Sequence, residues 1–506
     1  MTDSKKQAVG KGAAYIYLET IVSMISGYVF WIIMSKIAPP DVIGTSSAVI
    51  SFAGIIAVVA NIGIPTGLQR FLGRSLSDGH LHNTRVFVKS SLVLVTLGIV
   101  TCTFIILIFR DGVYTVFKID FNLMLMSLLL IISSAIATLF RGIIISSLKT
   151  RVLLSTMFLA SSCKLILSII LVIVGYGVIG LTIGFTINQI VAASILGIAT
   201  STIIFRVQTN TKKINSEIAI NFMSASKNIL IASEANWIPT VITTIGSQLG
   251  TLVVFGSLGS NQAGVYFISL TIVTGLTGVM YSLFTVALPV LSSMDDGRKR
   301  FAWHALRLSL IIVLPFSSSL IVYSKQVLDL LGHGYVEGSL SLQIMLLSIL
   351  PTAVGYGITS LIYSYGNYRQ VLAIGLSISI PRTLFYFMLV PLYGVAGAAI
   401  SYTVGSIVGL AVSVVIAKKI KMKLFWKSLS YVFVIPIVLS FTLYNLHINY
   451  IAGIAATIVI SYVFFFKLHV LNRTDIYDSL KMLPYGISNP TISLLTNISR
   501  KLGRYY

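Results

Sequence analysis

Fourteen largely apolar runs follow one another along the chain. They lie at 13–35, 43–65, 86–109, 122–147, 152–174, 178–204, 233–256, 264–288, 304–324, 340–364, 370–391, 394–417, 429–447 and 449–467. An α-helix rises 1.5 Å per residue, so about 20 apolar residues cross the roughly 30 Å of bilayer hydrocarbon. Inside lipid every backbone N–H and C=O must find its partner within the protein, which makes the helix the spanning element for runs of this length. Only 10% of the residues are charged, against about 25% in soluble domains. The mean hydropathy is +0.94. A water-facing surface cannot be covered from that supply, which excludes a soluble globular enzyme and a disordered chain. The expected fold is an all-α integral membrane protein of about fourteen transmembrane helices. The last two runs are the shortest. The first run lacks a small-residue cleavage site and is expected to stay as an anchor.

Charge placement tests the count independently. The chain carries 36 Lys+Arg against 14 Asp+Glu, a net +22. Cytoplasmic loops are enriched in Lys and Arg. With the N-terminus inside and strict alternation, 30 of the 36 cations fall inside, and Lys36, Arg110, Lys118 and Lys325 fall outside. Lys164 and Arg382 remain, both in the middle of spans. Both termini are therefore expected in the cytoplasm of a multi-pass plasma-membrane protein. The basic excess reads as topology, with contact to lipid headgroups, and not as a nucleic-acid surface. The tail after 467 is expected to hold a short surface helix near 491–503. The sequons at Asn472 and Asn497 fall on the cytoplasmic side. Cys102 and Cys163 lie inside apolar runs, so neither a disulfide framework nor a metal cluster is expected. No GxxxxGK[ST] run and no nucleophile–base set occurs, so no ATP site and no enzyme active site is expected.

The chain also repeats itself at an offset of about 218. Gly175-Tyr176-Gly177-Val178-Ile179-Gly180 opens the sixth span, and Tyr393-Gly394-Val395-Ala396-Gly397 opens the twelfth. Arg151 and Arg369 precede the fifth and eleventh, and Gly44 and Gly264 open the second and eighth. Two six-helix lobes follow, 1–206 and 227–419, joined by a linker at 207–226. An accessory helix pair at 420–467 and a tail at 468–506 complete the chain. Six is even, so the copies share one orientation, with an axis along the membrane normal and a cavity between them. Transporters recur to this plan.

Four stretches carry a family likeness. They are Ala38-Pro39-Pro40-Asp41-Val42-Ile43-Gly44, Asn61 to Phe71, Gly264-Val265-Tyr266-Phe267 with Ala287 to Ser292, and Pro391 to Ile400. In order and spacing the chain resembles the polysaccharide and oligosaccharide flippases of the multidrug/oligosaccharidyl-lipid/polysaccharide superfamily, O-antigen flippase type. The resemblance implies a fourteen-helix fold of two lobes. It also implies movement of a polyprenyl-(pyro)phosphate-linked oligosaccharide from the inner to the outer leaflet by alternating access. The lipid II branch typically carries arginine in the first span, where this chain has Glu19. The drug-extrusion branch uses acids within its lobes, so Glu19 and Glu234 keep a multidrug-type cation antiporter as the alternative. A membrane-embedded glycosyltransferase fits less well, because the external loops are short.

Charges at mid-bilayer are costly, about 2.5–3.5 kcal/mol on insertion scales, and persist where they face a cavity or a partner. Lys164 and Arg382 are 218 residues apart, so the repeat places a cation at corresponding positions. They read either as a cationic lining that grips a lipid pyrophosphate or as ion-pair partners of Glu19 and Glu234. Glu19 and Glu234 occupy the first helix of each lobe at similar depth. They read as a proton or Na⁺ coupling site, with Asn236 beside Glu234 and Pro239 bending that helix, or as salt bridges. Arg141 reads as a headgroup or substrate contact, or as topology. Asn61, Asn188, Gln189 and Gln248 read as interhelical hydrogen bonds or as contacts to sugar hydroxyls. Tyr356, Tyr363 and Tyr365, with Tyr386, read as stacking surfaces for sugar rings or as anchors. No cofactor is expected beyond a coupling ion. The expected partners are the lipid-linked glycan, membrane lipids and glycan assembly enzymes, with the monomer as the working unit and no nucleic acid.

Overall fold

A computed structural model describes residues 3–78, 80–210 and 220–468. The expected surface helix at 491–503, both sequons and the middle of the 207–226 linker lie outside those residues. The described chain is helical throughout, without a strand. Among the described residues twelve helices are long and apolar enough to cross a membrane, and a bent pair makes a thirteenth. Large apolar side chains such as Phe104, Phe158, Ile173 and Met388 point outward from them, the pattern that a lipid solvent permits.

The chain packs as two compact units. The first holds residues 1–268 and 382–398. It comprises α1 (Asp3–Ile37), α2 (Pro40–Ala60), α3 (Ile64–Asp78), α4 (Leu81–Ile108), α5 (Arg110–Phe117), α6 (Phe121–Ser146), α7 (Arg151–Ile173), α8 (Gly177–Asn210), α9 (Phe222–Leu258) and the start of α10 (Ser260–Ser293). Pro40 stands at the first position of α2, where a missing N–H costs nothing, and Asp41 complements the helix N-terminus. The second expected span is cut short after Ala60. Ile62 (φ 48°) and Gly63 (φ 66°) are left-handed there, which no helix interior tolerates. At Gly63 a Cβ would lie 2.8 Å from that of Trp237 on α9.

The second unit holds residues 269–381 and 399–506. Its helices are the rest of α10, α11 (Arg298–Val322), α12 (Ser324–Leu331), α13 (Ser339–Leu346), α14 (Ile349–Ser364), the ends of α15 (Tyr368–Lys419), α16 (Trp426–Asn445) and α17 (Tyr450–Lys467). The span expected at 340–364 is broken: α13, with the 3₁₀ turn before it, meets α14 at 42°. Pro351 explains the break, since its ring has no N–H for the carbonyl of Leu347 and clashes with it. The final helix pair is present. Asn449 caps α17 by accepting from the Ile451 N–H at 3.0 Å, and the Ser440 hydroxyl donates to that of Thr457 at 3.3 Å between α16 and α17.

Three features of the backbone echo the sequence repeat. Phe109, between α4 and α5, has φ −93° and ψ 23°, while Tyr323, between α11 and α12, has φ −96° and ψ 24°. The 52-residue α15 is interrupted at Gly394 (φ 59°, ψ −139°). A Cβ on Gly397 would lie 2.0 Å from the carbonyl oxygen of Leu389, whereas eight residues of unbroken helix span about 12 Å. The chain therefore folds back there, as it does where Gly180 meets Leu171 after α7. Finally, α2 and α10 cross without side chains between them. A Cβ on Gly44 would fall 1.8 Å from the Ser260 carbonyl oxygen, and one on Gly264 would fall 1.9 Å from that of Pro40. Gly44 thus meets the counterpart of Pro40, and Pro40 that of Gly44, 220 residues later, a reciprocal contact of the kind a two-fold axis produces.

Candidate functional site

The first unit contains a lysine in an aromatic box. Lys164 on α7 is 6% exposed. Its Nζ lies 4.6 Å from the ring centre of Phe30 on α1 and 4.6 Å from that of Phe185 on α8. The two rings meet edge to face at 5.2 Å. Trp31 packs against both, and Phe267 on α10 packs on Trp31 at 4.6 Å. Close α7–α8 approach makes the box possible. Residue 184 has no side chain, and a Cβ there would lie 1.9 Å from Ser168 Oγ and 3.2 Å from the Lys164 carbonyl oxygen.

Magnitudes decide how this lysine should be read. A desolvated cation–π contact contributes about 2 kcal/mol, while burying an ion costs several kcal/mol even after relaxation. Two rings offset part of that cost and supply no acceptor for its three N–H donors. Among the described residues no carboxylate pairs with Lys164. The ion pair open to it is made elsewhere. Arg141 on α6 donates from Nη2 to Oε2 of Glu19 on α1 at 2.7 Å, with the glutamate side chain 10% and the arginine 41% exposed. Glu19 and Phe30 are eleven residues apart, close to three helical turns, so they share a face of α1 about 16 Å apart. One wall of this unit therefore carries a neutralised pair at one depth and a lone ammonium at another.

Arg382, in the first half of α15, is 8% exposed. Tyr386, one turn on, is fully buried, with its hydroxyl 3.2 Å from that of Tyr266. Gly250 makes room for that pair, since a Cβ there would lie 2.6 Å from the Tyr266 hydroxyl oxygen. Asn188 lies one turn after Phe185, and its buried Oδ1 has no partner among the described residues. Asn61 turns its Nδ2 back to the Ala57 carbonyl at 2.9 Å, leaving Oδ1 buried without a partner among the described residues. Gln248 accepts from Ser51 at 3.0 Å, and Gln189 is half-buried. Asn236 donates to Thr66 at 3.3 Å, while Glu234 beside it is exposed. Pro239 is accommodated inside the continuous α9.

In the second unit Tyr356 meets Tyr281 edge to face at 5.7 Å. Tyr363 and Tyr365 are exposed, Tyr363 beside Tyr368 and Tyr365 under Arg298. Among the described residues no group of His, Cys, Asp or Glu is arranged to hold a metal, and both cysteines are free thiols.

The structure thus pairs Glu19 with Arg141 and not with a mid-span cation, and it joins Lys164 to Phe30 and Phe185. Sequence reasoning missed those two phenylalanines, which read as ordinary span residues.

The family described as polysaccharide biosynthesis protein matches residues 9–295. Among solved structures, the lipid II flippase MurJ in an inward closed conformation aligns with a TM-score of 0.67 at 16% identity, over 89% of this chain and 98% of that one. An inward-facing multidrug resistance MATE family transporter of the MOP superfamily aligns at 0.61 and 15% identity, over 80% and 97%. The Vibrio cholerae MATE transporter VcmN aligns at 0.55 and 15% identity, over 84% and 99%. The sequence matches no curated protein. At these identities the structural likeness establishes the fold.

Proposed function

The chain belongs to the polysaccharide biosynthesis protein family, and from that premise we propose that it is a flippase for a polyprenyl-(pyro)phosphate-linked oligosaccharide, moved from the inner to the outer leaflet by alternating access. One observation carries the proposal: a buried ammonium, Lys164, held by Phe30 and Phe185 with no described acceptor for its protons. An anionic phosphate supplies the missing acceptors. The rings exclude water, so the attraction acts at a low dielectric. Arg382, at the matching position of the repeat, offers a fork of donors where Lys164 offers a point charge. Asn188 adds an unsatisfied carbonyl oxygen one turn from the box, suited to a sugar hydroxyl.

Taking α15 as two passes and the bent pair as one gives fourteen, an even number consistent with both termini on one side, and the gathering of cations in alternate loops supports the cytoplasmic side of a plasma membrane. A Na⁺ or H⁺ gradient would act through Glu234 and Asn236, since Glu19 is committed to Arg141 in this conformation.

The test is glycolipid flipping in proteoliposomes. Wild type should move a polyprenyl-pyrophosphate oligosaccharide. Lys164→Met should cut the rate at least tenfold, about 1.4 kcal/mol, by removing a charge-assisted hydrogen bond, and Lys164→Arg should retain part of it. Inactivity toward the glycolipid together with proton-coupled exchange of organic cations would make the protein an antiporter instead.

A further inference from the structure

The second unit carries a basic cavity that shares no residue with the Lys164 box. It has a volume of about 720 Å³ and is lined by Lys299, Arg300 and Arg307 of α11 and by Lys421, Lys423 and Lys427 around the α15–α16 turn. Its aromatic side is Trp303, 6% exposed, with Phe425 at 5.2 Å and Tyr431 beyond. Among the described residues no carboxylate lines it.

Its place in the fold narrows the ligand. Lys299 and Arg300 belong to the first turn of α11, and Lys421 and Lys423 follow the last turn of α15. These are the ends of membrane-spanning helices, where hydrocarbon gives way to headgroups. Trp, Phe and Tyr against Lys and Arg is the composition that such a boundary favours. Six cations around one cavity repel one another unless an anion sits among them. Topology alone asks for basic residues near span ends and does not require them to converge on a cavity.

The backbone adds an independent sign. Lys421 is left-handed (φ 56°), and the N–H of Met422 returns to the Ala417 carbonyl at 2.9 Å. This is the helix-ending turn that ordinarily takes glycine. A lysine held there accepts a conformational cost that glycine avoids.

We propose that this cavity binds the phosphate of a membrane lipid, with the headgroup among the six cations and the acyl or prenyl chain leaving over Trp303 and Phe425. A bulk anionic phospholipid and the polyprenyl carrier offer the same chemistry.

Native mass spectrometry of the full chain, titrated separately with phosphatidylglycerol, phosphatidylcholine, a polyprenyl pyrophosphate and inorganic phosphate, tests the proposal. Wild type should retain phosphatidylglycerol or the polyprenyl pyrophosphate in preference to phosphatidylcholine, and whichever is retained names the source. Arg300→Gln/Lys423→Gln/Lys427→Gln changes three exposed residues. At about fivefold per cation lost, it should weaken that binding on the order of 100-fold. Lys421→Gly relieves the turn while removing one charge, so it should weaken binding about fivefold without lowering thermal stability. Lys164→Met should leave phosphatidylglycerol retention unchanged; polyprenyl pyrophosphate retention that falls in Lys164→Met but not in the triple variant would place that lipid at the aromatic box instead, which separates failure here from failure of the flippase reading. Equal retention of phosphatidylcholine, retention of inorganic phosphate without either anionic lipid, or undiminished lipid binding by the triple variant would overturn the proposal.

Discussion

The crossing of α2 and α10 makes a prediction whose size can be worked from the structure. In Gly44→Ala the new methyl would stand 1.8 Å from the Ser260 carbonyl oxygen, where ordinary contact begins at 3.4 Å. The helices must part by about 1.6 Å, and a gap of even 0.5–1 Å forfeits a quarter to a half of each dispersion contact across it. Overpacking of this kind costs about 1–3 kcal/mol. Loss of the Cα–H···O contacts that close crossing permits adds about 0.5–1 kcal/mol each. An effect of about 3 kcal/mol is therefore expected for Gly44→Ala. Gly264→Ala should match it, because its methyl meets the Pro40 carbonyl oxygen at 1.9 Å in the reciprocal position. The double variant is the sharper test. One separation of the helices accommodates both methyls, so the pair should cost about 3 kcal/mol and not about 6, a coupling near 3 kcal/mol. Reversible unfolding in mixed micelles, followed by tryptophan fluorescence, gives all three values. Single effects below about 0.5 kcal/mol, or strict additivity, would refute the reasoning.

Two further predictions concern packed polar groups. Arg141→Met strands the Glu19 carboxylate in a buried place and should cost about 2–3 kcal/mol, while Glu19→Gln/Arg141→Met should recover at least half of it; equal losses in single and double variants would show that the pair does not interact. The Tyr323 hydroxyl is buried without a partner among the described residues, so Tyr323→Phe should leave stability unchanged or raise it by up to about 1 kcal/mol, and a loss above that amount in thermal unfolding would reveal a partner such as water.

Most of the fold was legible because lipid leaves few choices. Each apolar run had to be a helix. The departures have local causes that hydropathy does not see. Ile62 and Gly63 end α2 early through their backbone angles, and Pro351 breaks the tenth run without making it less apolar. The site was half legible. A charge in mid-span stands out against its surroundings, so Lys164 and Arg382 could be picked from the sequence. Phe30 and Phe185 could not, because a phenylalanine that grips a cation and one that faces lipid look alike in an apolar run. The Glu19–Arg141 pair joins residues 122 positions apart, and only packing reveals it. The basic cavity shows the converse: its lysines were visible, but topology explained them before their convergence was known.

The fold-back at Gly394 bears on how the chain enters its membrane. No charged residue occurs between Arg382 and Lys418, so the turn at 391–395 offers no charge that orients it to either face. A helix pair of this kind partitions from the insertion machinery as one hairpin, because neither arm carries an orienting signal at the shared end. Arg369 before the first arm and Lys418 and Lys419 after the second then set the direction of both together. The turn between them then enters the bilayer as an almost entirely apolar tip.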